Sequence, residues 1–348
     1  TLALVAAATG PVAMGLGGII ELAAKAFTPI DPYDTRRWLY GTPVLLVALI
    51  PLIGNRLTAS RRGEMLARDF AYDLLQSVEP YGVLVTAGDN DTFPLWYAQE
   101  VEGIRKDVTV VNLSLANTDW YVRQLQRRQV FDFDSLSAPA IYRGRQWTKP
   151  TGPLMSFTDQ QLEGLEAYYL LQEKRVARLG PIDVTLDPEA MGRPYLERAD
   201  VVVLQVIKDQ LGKRPITFSR TAGFYPDQFG LTSRLESHGF TRLLRTRELV
   251  PSDTIKPVQS FGYVNVPRTT RLLQEVYHAD GAARHRPRGW VDPPSEGILS
   301  LYGLTYYTMA QVLQGTNSAT AARMQEIAQG VFRNTDTPIR PLPEQPAP

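Results

Sequence analysis

YGVLVTAGDNDTFPLWYAQEVEGIRKDVTVVNLSLANTDWYVRQL, residues 81–125, decides the fold class of this 348-residue chain. Two apolar runs, 82–87 and 108–113, each end in a polar turn followed by an amphipathic stretch. The turns are Gly88-Asp89-Asn90-Asp91-Thr92 and Ala116-Asn117-Thr118-Asp119. Strand, acidic turn, helix, given twice, is the grammar of a parallel α/β sheet and predicts a Rossmann-like domain. Gly88 suits a tight turn, Pro94 a first helical turn, and Gly103 the end of that helix.

The turns hold the candidate ligand-binding residues Asp89, Asn90, Asp91, Asn117 and Asp119. Open α/β sheets place ligands at the carboxyl ends of their strands, where these side chains stand. Carboxylates and an amide there could take a hard cation, the hydroxyls of a glycan or a basic partner. Helix capping accounts for Asp, Asn and Thr at such positions without any ligand. It does not require so many of them, nor Trp96 and Trp120 beside both turns. Gly88 is alone, with neither a dinucleotide fingerprint nor a P-loop around it, so no cofactor is expected.

Upstream, residues 1–20 carry no charge and are rich in Ala, Val, Leu and Gly. That run is long enough to span a bilayer core of roughly 30 Å. A second apolar segment, 38–53, has Trp38 and Tyr40 as interface anchors and Arg36, Arg37 and Arg56 as brackets. One or two N-terminal transmembrane helices are therefore expected within a membrane anchor at 1–56. Charge does not fix its orientation, because Lys25, Arg36 and Arg37 are balanced by Arg56, Arg61 and Arg62.

Downstream, an α/β domain is expected over 57–250, opening on a helix at 58–75. The stretch 131–154 reads as irregular chain, with Arg143, Arg145, Trp147 and Lys149 as a basic-aromatic group. A helix at 157–178 and a strand at 182–186 follow. Residues 200–212 are β-branched but too long for an ordinary strand, and read as a helix feeding a strand at 216–219. Residues 230–238 read as a short helix and 239–244 as turn and strand. Ser219 lacks a nucleophile elbow, so a serine triad is unsupported. A loop-rich and helical region occupies 251–337, with helices at 297–314 and 320–332, before a Pro-rich tail at 338–348.

Composition narrows the chemistry. The 37 basic and 36 acidic side chains balance, which argues against a bulk nucleic-acid binder. No Cys is present, which excludes disulfides and thiolate chemistry. The three His, His238, His278 and His285, show no metal-ligand spacing, so no metal site is expected.

GDNDTFPLWYAQEVEGIR at 88–105 and DVTVVNLSLANTDWYVRQL at 107–125 resemble the soluble, C-terminal part of a bacterial membrane-protein family called domain of unknown function 2723. ARDFAYDLLQSVEPYG at 67–82 and RADVVVLQVIKDQLGKRPITFS at 198–219 extend the resemblance, which covers about 56–244. That family is similar to protein O-mannosyltransferases. The resemblance implies a multi-span glycosyltransferase that uses a lipid-linked sugar, with its soluble domain outside the cytoplasm. Its catalytic acids would lie near an early membrane helix; here only Glu21, Asp31 and Asp34 stand near the apolar segments, and no catalytic residue carries over. The expectation is therefore a non-catalytic, membrane-anchored accessory subunit. It would contact the bilayer and the other subunits of a larger membrane complex, sitting in the inner membrane with its large domain on the periplasmic or extracytoplasmic side. The alternatives are a fragment or partner-completed form of a glycosyltransferase, and an envelope carbohydrate-binding module.

Overall fold

The computed structural model describes residues 49–136, 138–286 and 291–335. Described residues from Gly63 onward form one compact unit, and residues 49–62 belong to a second. In the second, 49–54 and Arg56–Ala59 are helical, with Ile50, Leu52 and Ile53 exposed.

The first unit opens with α1 (Leu66–Ser77), which puts Phe70, Leu74 and Leu75 on a buried stripe. Then come β1 (Val83–Thr86), α2 (Asp89–Glu100), β2 (Thr109–Asn112) and α3 (Asp119–Arg127). The expected strand–turn–helix alternation is present. Both strands are buried on both faces, which is why they read as continuous apolar runs. The helix expected over 157–178 is not formed. A five-residue helix at Asp159–Glu163 is followed by β3 (Tyr168–Leu170) and β4 (Arg175–Leu179). β4 makes a hairpin with β5 (Ile182–Leu186), and β3 pairs with β6 (Tyr195–Glu197).

The β-branched segment near residue 200 is helix α4 (Arg198–Gln210). Its start is fixed by Asp200, whose carboxylate accepts from the Glu197 amide at 2.7 Å and from Arg193 at 2.7 Å. Val202, Val203, Val206 and Ile207 then fall on one buried face. Burial of that face outweighs the weak helix propensity of its valines.

β7 (Ile216–Ser219), β8 (Leu235–His238), β9 (Thr241–Leu244), β10 (Ile255–Val258) and β11 (Gly262–Asn265) complete a seven-stranded sheet in the order β10-β11-β8-β9-β7-β1-β2. β7, β1 and β2 form one parallel block, and β11 pairs parallel with β8. β9 runs antiparallel to both β7 and β8. The sheet is therefore mixed, and the expected Rossmann-like parallel sheet is corrected. The reason is local: β8 and β9 are joined by only Gly239 and Phe240, and so short a connection can link only antiparallel neighbours. Gly239 adopts φ +56°, and a Cβ there would strike the Tyr277 hydroxyl. Residues 235–238, expected to be helical, are drawn into the sheet by this hairpin.

Alternation along the strands divides the core. Leu84 and Val110 face α1, α2 and the helices α5 (Pro293–Leu313) and α6 (Ser318–Phe332). Val83, Val85, Val111, Ile216 and Phe218 face α3 and α4. The sheet is thus sandwiched between helical layers.

The membrane expectations are also corrected. No helix among the described residues is long and apolar enough to cross a membrane. Residues 1–20, and 38–53 apart from 49–53, lie outside the described residues. The membrane-anchored accessory subunit is withdrawn on that finding. With it go the bilayer and membrane-complex partners and the inner-membrane placement with a periplasmic domain.

β2 is an edge strand, and its outward polar groups are closed off by side chains. The Tyr121 hydroxyl accepts from the Asn112 amide at 3.0 Å and donates to the Val110 carbonyl at 3.1 Å. Gln99 donates to the Val108 carbonyl at 2.9 Å. Burial pushes the Tyr121 phenol up to about 12, so it remains a donor. Tyr121→Phe should leave the Asn112 amide unpaired and cost about 1–3 kcal/mol, read from urea unfolding. An unchanged midpoint would show that the edge does not depend on this hydroxyl. The opposite edge, β10, carries Lys256 and Pro257, residues that discourage strand addition.

Candidate functional site

The chain leaves β1 through α2 to reach β2 on one side, and later passes through α4 to reach β7 on the other. α2 and α4 pack on opposite faces of the sheet, so the connections diverge at the carboxyl ends of β1 and β7. This is where an open α/β sheet places a ligand, and both acidic turns stand near it.

α2 starts at Asp89, so Asp89, Asn90, Asp91 and Thr92 are its first turn rather than its cap, and Pro94 lies inside the helix. The N-cap is Gly88, without a side-chain cap hydrogen bond. Thr118, the N-cap of α3, makes none either. Side-chain capping therefore does not explain these acids, although negative charge in a first helical turn remains favourable.

Tertiary contacts engage three of the five candidates. Asp91 is buried and accepts a hydrogen bond from the Thr221 hydroxyl just beyond β7. Thr221 in turn shares a 2.6 Å bond with Ser219. Around them, Thr86 and Thr92 are 2.7 Å apart, and Asn112 donates to Thr92 and to the Gly88 carbonyl, both at 2.8 Å. This network stitches β1, β2 and β7 together at their ends. Asn117 accepts from the Ala199 amide at 3.0 Å and donates to Glu197 at 3.1 Å. Asp119 is in an ion pair with Arg198. The second turn thus holds the start of α4. Asp89 and Asn90 remain exposed, with no side-chain hydrogen bond or ion pair among the described residues.

The two turns do not converge on a cation. Among the described residues no three acidic or imidazole groups are gathered to hold a metal ion.

The solvent face of α2 is unusual. Asn90, Phe93 and Tyr97 follow at i, i+3 and i+7, and Asp89, Phe93 and Trp96 at i, i+4 and i+7. These spacings put the free carboxylate and amide on the same stripe as the aromatic rings. Phe93 is 55% exposed, Tyr97 50% and Trp120, at the start of α3, 56%. Ring centroids run Phe93–Trp96 at 5.7 Å, Trp96–Tyr121 at 6.3 Å and Tyr121–Trp120 at 5.6 Å. The aromatic series therefore passes from α2 around the β2 edge to α3. Sequence reading noted Trp96 and Trp120 but missed Phe93 and Tyr97. Their signal was the helical spacing from Asn90, on the face opposite the buried Leu95, Ala98 and Gln99.

Other candidates are absorbed by the fold. Arg143 donates to the Ala138 carbonyl at 3.1 Å, Trp147 to the Tyr142 carbonyl at 3.2 Å, and Lys149 pairs with Asp132 at 2.8 Å. His238 pairs at 2.9 Å with Glu236, two residues earlier on the same face of β8. A cavity of about 480 Å³, lined partly by Tyr72, Glu102, Arg105, Lys106 and Phe131, lies toward the amino end of β2. Its charges are met by protein partners: Arg105 by Asp107, Lys106 by Glu100 and Glu102 by Arg68.

No curated protein and no solved structure matches this chain. Residues 67–172, which include both acidic turns and the whole aromatic series, match the family model described as TMEM260-associated domain 2; the similarity links this part of the chain to the family associated with domain of unknown function 2723.

Proposed function

We propose that this domain binds carbohydrate, with sugar rings lying on Phe93, Tyr97 and Trp120 and their hydroxyls bonded to Asp89 and Asn90. The observation that carries the reading is an exposed aromatic stripe that begins at a carboxylate and an amide without side-chain partners among the described residues. Aromatic faces cover the apolar C–H surface of a sugar, and a carboxylate and an amide accept and donate at its hydroxyls. Full burial of one such ring contributes roughly 1.5–3 kcal/mol, so three half-exposed rings hold back a few kcal/mol that a ligand can recover.

The test is a titration of the full chain with mannose and N-acetylglucosamine tetramers, followed by tryptophan fluorescence. Phe93→Ala and Trp120→Ala are expected to lower affinity at least tenfold while shifting unfolding midpoints little, because both rings are half outside the core. Affinity unmoved by both substitutions would sink the proposal.

The resemblance to a sugar-transferring family supports a second reading, in which the domain is part of a lipid-linked-sugar-dependent transferase. That reading shares the glycan contact and assigns no catalytic residue to the described chain.

A further inference from the structure

We infer that this surface, if it is the glycan site proposed above, selects sugars with free amino groups over neutral and acidic ones. The argument rests on which charges around the stripe are already spent. Glu100, at the far end of α2, is paired with Lys106 at 3.3 Å and faces Arg128 at 3.8 Å. Lys106 also lies over the Phe131 ring at 4.6 Å. Asp119 is held by Arg198, and Arg198 further donates to the Leu165 carbonyl at 2.7 Å. These cations are engaged by protein groups, whereas Asp89 has no partner among the described residues. Beside Asp89 the unspent charge is negative; the exposed Arg127 lies two turns along α3 from Trp120, at the helix's far end.

Its position makes that charge selective. Asp89 lies one helical turn before Phe93, with Cβ atoms about 5–6 Å apart at this spacing, so a ligand on the ring is within reach of the carboxylate. An ammonium group is attracted both by the carboxylate and by the aromatic faces. A uronic acid or phosphosugar would meet Asp89, which no cation pairs among the described residues. The positive end of α2 does not reverse this preference, because Asp89 and Asp91 both occupy its first turn.

The experiment compares tetramers of glucosamine, N-acetylglucosamine, mannose and galacturonic acid by calorimetry with the full chain at pH 6 and low salt. The glucosamine tetramer is expected to bind roughly tenfold more tightly than its acetylated form, as one added charge-assisted contact allows, and galacturonate most weakly. Asp89→Asn should bring the ratio of the glucosamine to the acetylated tetramer close to one, through loss of glucosamine affinity. Circular dichroism checks that the variant is folded. Equal affinity for the two tetramers, or a preference that survives Asp89→Asn, overturns the inference and leaves the carbohydrate reading standing. Failure of every tetramer to bind defeats the carbohydrate reading itself. So does self-association of the chain through these rings that Phe93→Ala abolishes.

Discussion

Arg105→Ala is expected to cost about 3–5 kcal/mol, the range for breaking a buried ion pair from one side. The guanidinium is 4% exposed and the Asp107 carboxylate 2%, and they meet in a two-pronged contact at 2.9 and 3.0 Å. The same side chain donates to the carbonyls of Leu75 and Val78 at the end of α1, at 3.0 and 2.9 Å. It also stacks on Phe133 and Tyr142, 5.2 and 5.3 Å from the ring centres. Truncation leaves the Asp107 carboxylate buried without its ion-pair partner, with the Tyr81 amide still on it at 2.8 Å and Arg214 nearby. Urea unfolding of the single variant and of Arg105→Met with Asp107→Leu gives the check. The double variant should recover much of the loss, because no charge is then stranded. A single-variant cost below about 1 kcal/mol would show that this pair is not what closes α1 onto the sheet.

The second large effect is a pH dependence centred on Asp73. This wholly buried carboxylate accepts from the His278 amide and from His278 Nδ1, at 3.0 and 2.9 Å, and from the Tyr302 hydroxyl at 2.5 Å. It thereby ties α1 to the segment after β11 and to α5. Burial raises its pKa from 3.8 to about 6, against the opposing hydrogen bonds from His278 and Tyr302. His278 is half-buried and also titrates above its usual value of 6.5, chiefly through its hydrogen bond to Asp73.

Both shifts are upward, so the folded state binds more protons than the unfolded one between these values. The stability they contribute is fully present below the unfolded pKa values. It is lost as pH rises, first through about 4 to 6 for Asp73 and then through the raised value of His278. For Asp73 alone the loss is on the order of 3 kcal/mol. Glu236 acts in the opposite sense. Burial works against its ionisation, but His238, Arg245 and Asn265 hold its carboxyl well below the usual range, so its contribution disappears in acid. A difference measurement isolates the Asp73–His278 pair, because Asp73→Asn removes the chief cause of both shifts. From pH 4 to pH 8 the stability of Asp73→Asn should rise relative to the parent by roughly 2–3 kcal/mol. Parallel stability curves for the two proteins would overturn the assignment.

Much of the architecture was legible at the level of single elements. β1, β2 and β7 are short β-branched runs bounded by turns, and α4, α5 and α6 show the spacing of a buried face. Such signals depend on neighbours two to four residues apart, which the sequence displays directly. Residues 235–238 failed that test because LESH is short and carries three polar side chains. Only the hairpin turn at Gly239 and Phe240 places it in the sheet.

The candidate site divides in the same way. The sequence alone determined that two acidic turns follow two parallel strands, and that aromatic residues stand beside them. It could not say which acids are free. Asp91 meets Thr221 across 130 residues, Asn117 meets Ala199 across 82, and Asp73 meets His278 across 205. Whether a carboxylate serves as a tie within the fold or as a group left for a ligand depends on which distant segment packs against it. That choice is made by tertiary packing, because a side chain's local helical or strand position fixes its direction but not the partner it meets. The tertiary structure therefore decided that Asp91, Asn117 and Asp119 hold the domain together. It left Asp89, Asn90 and the rings of Phe93, Tyr97 and Trp120 facing solvent.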